Sequence, residues 1–501
     1  MRDHDSLLPR VSAGADNPAQ GVADRRRLAL VTLCMAVLIA QVDTSVVNLA
    51  IHPIGVYFTA GVAALQWVAD SYNLVYAALL LTGGLLADLL GRRIIFMVGA
   101  AVFTTASLLC AFAPTVSLLI GGRALAGLGA ALLLPASLAI IRVVWPDHVE
   151  RGRVLGIWAG CNGLALAIGP TFGGLLIGQF GWRSIFLVVV PLGLAAFALA
   201  APTIPESSAR QERHFDAPGQ ILGALALGGL AIAAIETNGA TLTALIALAV
   251  ATPALLLFIA VESQRGAAAL VPLSMFRTRG FLGAVTATAG MTFGMYGVLF
   301  LLPLAWQGSG ILDPLGVGLA LVPMALVFVL VSPFSGSLSR KFGVHSMASG
   351  GVALIGFGLL ILSVSAGRKS IMADEIGLIL TGLGMGLATG PLLAVAVGAV
   401  SAARSGTAAA LINVARMAGA TIGVAVMGAV FAAAHDSAIG LRLAMLLGGL
   451  VQLTCAAVAW TTTRSVANAC PKHRTIGLIH GSCAVLAGPK PAARKQVPLS
   501  K

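Results

Sequence analysis

Three charged residues, Asp43, Asp70 and Arg123, interrupt runs otherwise made of Leu, Val, Ile, Ala and Gly. An ionised side chain at the centre of a membrane helix costs about 2.5–3.5 kcal/mol on insertion scales, so such a residue is kept for a function or for a partner. Asp43 stands in Q-V-D-T-S-V-V-N, residues 41–48; Asp70 closes L-Q-W-V-A-D, residues 65–70; Arg123 lies in I-G-G-R-A-L-A-G, residues 120–127. At about 1.5 Å of rise per residue, Asp43 sits roughly 12 Å, Asp70 roughly 7 Å and Arg123 roughly 10 Å below the outer ends of their helices. Such depths set one cation against two carboxylates in a poorly hydrated space, an arrangement in which a proton and a cationic substrate compete for one carboxylate. A guanidinium does not shed its proton, so Arg123 needs an anionic or carbonyl partner. The alternative for Asp43 and Arg123 is a static buried pair that fixes helix packing, and for Asp70 a solvated place near the helix mouth.

The elements that must position these residues are membrane spans. Of the 501 residues 58% are hydrophobic and 10% charged, more apolar surface than a water-soluble core absorbs. Runs long enough to span recur near 28–50, 66–90, 94–113, 116–141, 154–178, 185–203, 219–237, 241–261, 281–303, 315–338, 346–366, 376–399, 406–432 and 441–461. The spacing predicts an all-α polytopic membrane protein with two six-helix bundles, 28–203 and 281–461, and two extra helices, 219–261, inserted within a linker of residues 204–280. A polar tail, 1–27, precedes them and a basic tail, 462–501, follows. Starting inside, Arg92, Arg93, Arg142, Arg151, Arg153, Arg210, Arg213, Arg265, Arg277, Arg279, Arg340, Lys341 and Arg404 fall on one side, and only Arg183, Arg368, Lys369 and Arg442 on the other. That asymmetry predicts both termini in the cytoplasm. A full-length span follows the polar start directly, so no cleaved signal peptide is expected.

Other motifs concern movement. Residues 84–93 read G-L-L-A-D-L-L-G-R-R: Gly84 allows close helix contact, Asp88 sits at a helix end, Gly91 ends the helix, and Arg92 and Arg93 hold the turn on the inner side. A weaker echo at 336–343, G-S-L-S-R-K-F-G, suggests that the two bundles are parallel repeats. In the fifth run Gly169, Pro170, Gly173 and Gly174 combine close backbone approach with a bend where rocking could pivot. Asn413 and Arg416, three apart on one face of the thirteenth run, either line the pathway or bond carbonyls of a neighbouring helix. Aromatic, amide and thioether side chains that could meet a varied ligand are Asn48, Trp67, Tyr72, Tyr76, Met291, Phe293, Met295, Tyr296 and Trp306.

Several function classes drop out. The formal charge of +13 is spread over short loops rather than gathered in an aromatic-interleaved patch, which predicts topology and no nucleic-acid partner. No G-x-x-x-x-G-K-[ST] cradle is present, so energy must come from an ion gradient or from the substrate's own. Six scattered cysteines form no disulfide framework. Cys470, His473, His480 and Cys483 in the basic tail lack a finger pattern, so no metal site is assigned; no cofactor is called for, and no nucleophile, base and orienting group converge on an enzyme site.

Over residues 28–461 the chain resembles the fourteen-span drug:proton antiporters of the major facilitator superfamily. Residues 84–93 are similar to the superfamily's loop motif, Arg123 with Gly127 to its fourth-helix motif, and G-P-T-F-G-G at 169–174 to the motif that marks antiporters. D-T-S-V-V-N at 43–48, L-Q-W-V-A-D-S-Y at 65–72, W-R-S-I-F at 182–186 and N-V-A-R at 413–416, followed by Gly419 and Gly423, also fit that group. The chain departs from the pattern at Ala126, where Gln is common, at Val189 or Val190, where an Asn is usual, and at Leu89, where Arg is frequent. The resemblance implies proton-coupled efflux of small amphipathic or cationic toxic compounds by alternating access in a bacterial cytoplasmic (inner) membrane. Its partners would be a small-molecule substrate, protons, the lipid bilayer and possible accessory export proteins. Asp43, Arg123 and Asp70 would couple the proton; the alternatives are a dedicated exporter of one metabolite or antibiotic and, less favoured, a catalytically inert receptor or scaffold on a transporter fold.

Overall fold

The computed structural model describes residues 18–208, 216–237, 241–265, 269, 271–367, 371–401 and 404–468; Arg210, Arg213, Arg368, Lys369 and the four tail ligands lie outside them. Among the described residues every long element is a helix. In order they are α1 Pro18–Phe58, α2 Val62–Leu90, α3 Arg92–Ala111, α4 Val116–Val144, α5 His148–Phe180, α6 Ser184–Thr203 and α7 Ala217–Glu236. There follow α8 Thr241–Arg265, α9 Arg279–Gly308, α10 Pro314–Phe342, α11 Val344–Ser365, α12 Ile371–Gly398, α13 Ser405–Ala433 and α14 Ser437–Asn468. Thirteen are long and apolar enough to cross a membrane; α5 occupies the place of the remaining expected span.

The starts of these helices follow from side chains that can satisfy the first free backbone N–H groups. Thr115 caps α4, Asp147 accepts from the amides of Val149 and Glu150 at α5, and Asp216 does the same for Gly219 at α7. Asp313 caps α10, with Pro314 in the first turn, and Asp436 caps α14. The link between α2 and α3 is one residue, Gly91, at φ +118°, a conformation that side chains disfavour. It is held from across the bundle, because Glu206 accepts from the amides of Arg93 and Ile94 and pairs with Arg93 at 3.7 Å. Asp88 accepts from Arg92 at 2.9 Å across the same turn.

Helices α1–α6 pack into one bundle and α9–α14 into another. Between them in sequence, α7 and α8 form a hairpin that lies against α2 and α13 through α7. Gln220 on α7 bonds both Thr82 and the carbonyl of Ala78 on α2, and Glu236 at the other end of α7 accepts from the Trp67 indole at 3.1 Å. We call the face that carries Arg92, Arg93 and Arg340 the basic face.

The polar bonds between the bundles lie in the half of the molecule away from that face, while α2 stays against α13 into the other half, where Leu81 packs on a cluster that includes Leu411 and Ile412. Gln66 on α2 donates to the carbonyls of Val424 and Ala425 on α13, and Gln307 on α9 donates to the carbonyl of Leu49 on α1. There α5 and α10 touch backbone to backbone: a Cβ on Gly174 would fall 2.6 Å from the Pro314 carbonyl, and one on Gly318 2.4 Å from that of Pro170. Toward the basic face the same two helices part. Gly156 and Gly152, about five and six turns down the same face of α5 from Gly174, and Gly336 of α10 have nothing within 4 Å. The structure is therefore closed away from the basic face, with α5 and α10 diverging toward it.

Candidate functional site

The α1–α2–α4 junction holds the charged set. Arg123 and Asp43 are 1% and 3% exposed, and their side chains pair at 2.5 Å. The guanidinium Nε donates to the carbonyl of Val68 on α2 at 3.1 Å, and its Cζ stands 4.7 Å from the ring centroid of Tyr72. Tyr72 in turn donates to the Ala40 carbonyl of α1. Close approach of α2 and α4 is what permits this, since a Cβ on Gly127 would lie 2.4 Å from the Tyr72 carbonyl oxygen. The cation is thus neutralised by one carboxylate and oriented by one carbonyl and one ring.

Asp70 is not part of that pair. It is fully buried, it meets no cation, and its polar neighbour is the Asn73 side chain of the same helix, with neither carboxylate oxygen in a well-formed hydrogen bond. It lies one helical turn below Gln66, on the side of α2 that meets α13, where the Thr421 hydroxyl is also buried without a partner. An ionised carboxylate so enclosed costs several kcal/mol, and binding a proton removes that cost. The sequence expectation of three charges sharing a cavity therefore resolves into two sites, a buried ion pair within one bundle and an isolated acid at the seam between bundles.

The remaining candidates divide. Tyr76 on α2 and Tyr296 on α9 both lie within electrostatic range of Arg416 on α13, and Arg416 donates to Asn413 at 2.8 Å. Asn48 turns back to the Thr44 carbonyl, and Met291 is buried, with its sulfur 3.9 Å from the Thr389 hydroxyl. Trp67 is drawn to Glu236 on the inserted hairpin, and Trp306 donates to Asp374, away from the paired charges. Phe293 and Met295 are core residues. In α5, Gly169 and Gly173 receive Ser45 and Val46 of α1, while Pro170 and Gly174 face α10. Gly84 lies beside Pro135 of α4. Gln66, Gln307 and Glu206 carry the inter-helix bonds that sequence inspection missed; each sits near the end of a span, where a polar residue normally marks only the water interface.

Residues 33–424 match the family model described as Major Facilitator Superfamily. The chain belongs to that superfamily. It is 34% identical over 409 residues to "Multidrug resistance protein Stp" of Mycobacterium tuberculosis, covering 81% of this chain and 76% of that one. It is 32% identical to "Methylenomycin A resistance protein" of Streptomyces coelicolor, covering 90% and 97% of the two chains. Among solved structures, a bacterial homologue of the lysosomal transporter Spinster, described as inward-facing and unoccupied, superposes with a TM-score of 0.65 at 16% identity, covering 89% of this chain and 98% of that one. This last likeness shows the fold alone; that the chain is a membrane transporter handling small molecules follows from its superfamily.

Proposed function

We propose that the protein expels small amphipathic or cationic toxic compounds from a bacterial cytoplasm in exchange for protons. The basic face is then cytoplasmic, both termini lie on that side, and the membrane is the cytoplasmic one. Asp70 is the observation that carries the coupling: an acid buried without a cationic partner at the seam that seals the opposite side. A proton on Asp70 favours the closed seam, and its ionised form favours a parted one. After substrate leaves outward, proton uptake from outside would return the empty carrier to the state seen here. Asp43, neutralised by Arg123, would respond to the same cycle as α1 and α4 shift. One elementary charge crossing 100 mV supplies about 2.3 kcal/mol before any pH difference is added, enough to bias such an equilibrium.

The family's relatives favour efflux, since those named above are resistance proteins and another is the "Multidrug efflux pump LfrA" of Mycolicibacterium smegmatis. A second reading, export of one antibiotic or metabolite, is favoured by the name of the Streptomyces relative. The test is export of ethidium, rhodamine 6G and fluorescein from energised cells carrying the full chain, with and without an uncoupler, for wild type and Asp70→Asn. Uncoupler-sensitive export that Asp70→Asn loses supports the reading, and the number of dyes moved separates broad from narrow range. Export that persists with uncoupler present, or in Asp70→Asn, would remove the coupling role.

A further inference from the structure

Arg416 sits midway along α13 with no acidic partner among the described residues. Its Nε is buried and unpartnered, and its one hydrogen bond is to the neutral amide of Asn413, a turn away on the same helix. The direction in which it points follows from its neighbours. Gly419 and Gly423 of α13 pack on the carbonyls of Ala289 and Phe293 in α9, Gly428 packs on Gln66 of α2, and Ile422 and Val426 face the inserted hairpin. Arg416 and Asn413 occupy the remaining sector, between α2 and α9 and opposite the hairpin, which is the sector facing the other bundle. Tyr76 and Tyr296, on those two helices, lie within electrostatic range of it.

The charge balance there is one-sided. In residues 281–461 the acidic side chains are Asp313, Asp374, Glu375 and Asp436, and all four stand at helix ends away from the basic face. In the other bundle Asp43 is consumed by Arg123, and Asp70, whose polar neighbour is the Asn73 side chain, forms no ion pair with Arg416. The protein thus offers one uncompensated guanidinium, an amide and two phenols at mid-membrane depth, while the nearby acid, Asp70, is fully enclosed at the seam. A permanently charged group held there without a counter-ion is costly unless a ligand supplies one.

We propose that Arg416, framed by Asn413, Tyr76 and Tyr296, binds an anionic group of the exported compound, so that the preferred substrates are amphipathic organic acids. This rests on the efflux reading above and narrows it. A carboxylate or phenolate accepts from the free edge of the guanidinium, while the two rings hold the apolar part.

The test uses the full chain reconstituted in vesicles with an imposed proton gradient, and fluorescein and ethidium as the anionic and cationic probes. Wild type should export fluorescein at lower KM than ethidium. Arg416→Gln should raise the fluorescein KM about thirtyfold, as loss of a charge-assisted hydrogen bond predicts, and Arg416→Lys about threefold. On wild type alone, benzoate should compete with fluorescein and phenyltrimethylammonium should not, a readout that survives if the variants do not fold. Export of ethidium but not fluorescein, or competition by phenyltrimethylammonium rather than benzoate, would overturn the proposal and leave the efflux reading standing. A fluorescein KM in Arg416→Gln within twofold of wild type, or equal loss of both probes at an unchanged thermal midpoint, would overturn it too. Transport of neither probe by wild type would overturn both.

Discussion

Two carboxylates less than thirty residues apart in sequence have opposite surroundings, and that difference predicts opposite behaviour on neutralisation. Asp43 is bonded to Arg123 with both side chains 2% exposed, so Asp43→Ala strands a buried guanidinium. Breaking a buried pair from one side costs about 3–5 kcal/mol, and Asp43→Ala should lower the thermal midpoint of the detergent-solubilised protein markedly. Asp43→Asn keeps a carbonyl oxygen for Arg123 and should fall between Asp43→Ala and wild type. Asp70 gives up no cation, and the Asn73 side chain beside it can still bond the amide of Asp70→Asn. Asp70→Asn should therefore melt within about 1 kcal/mol of wild type while losing proton-coupled export. Equal destabilisation by Asp43→Ala and Asp70→Asn would show that Asp70 has a hidden stabilising contact.

At the scale of the element, α2 is the helix on which most of the site depends. Tyr72 reaches α1, Ser71 bonds the Ile120 carbonyl of α4, Gln66 bonds α13, and Thr82 and Trp67 bond α7. Its distance from α4 is set by glycine. Gly127→Ala would place a Cβ 2.4 Å from the Tyr72 carbonyl, forcing the helices apart and pulling Arg123 from the Val68 carbonyl. Overpacking of this kind costs about 1–3 kcal/mol. Gly121, two turns nearer the opposite face on the same helix, has nothing within 4 Å, so Gly121→Ala should be neutral or mildly stabilising. Thermal midpoints and export rates for Gly127→Ala and Gly121→Ala check this, and matching values for the two would sink the argument.

The legibility of α2 was uneven for the same physical reason. Its length and apolar run declared a span, and Asp70 declared itself by being charged inside one. Which neighbour each side of the helix meets depends on tertiary pairing, which spacing along one helix does not encode. Trp67 thus resembled a ligand contact yet bonds Glu236, and Gln66 resembled an interface residue yet ties the two bundles together. The same holds for Arg416, whose charge was visible and whose lack of a counter-ion was not.

Across the whole molecule, the glycines of α5 record which conformation is present. Gly174, in its half away from the basic face, is in close contact with the backbone of Pro314 and Leu315, and Gly152 and Gly156, nearer that face and on the same side of the helix, touch nothing. Alternating access requires the pattern to reverse: Gly174 must part from Pro314 as Gly152 and Gly156 approach the far half of α10. A Cβ on Gly174 therefore penalises the state seen here, and a Cβ on Gly156 penalises only the other one. A penalty of about 1–2 kcal/mol moves a two-state ratio about 5–30-fold, enough to be seen as a change in populations. Spin labels at Phe180→Cys and Ile311→Cys, introduced after replacement of the native cysteines, report the separation of α5 and α10 at the closed end. Gly174→Ala should enrich the long-distance population, and Gly156→Ala should deplete it. Both variants should slow export, because a carrier held in either state turns over slowly. If both shift the distances in the same direction, the two ends of α5 do not alternate, and the movement must be carried by other helices.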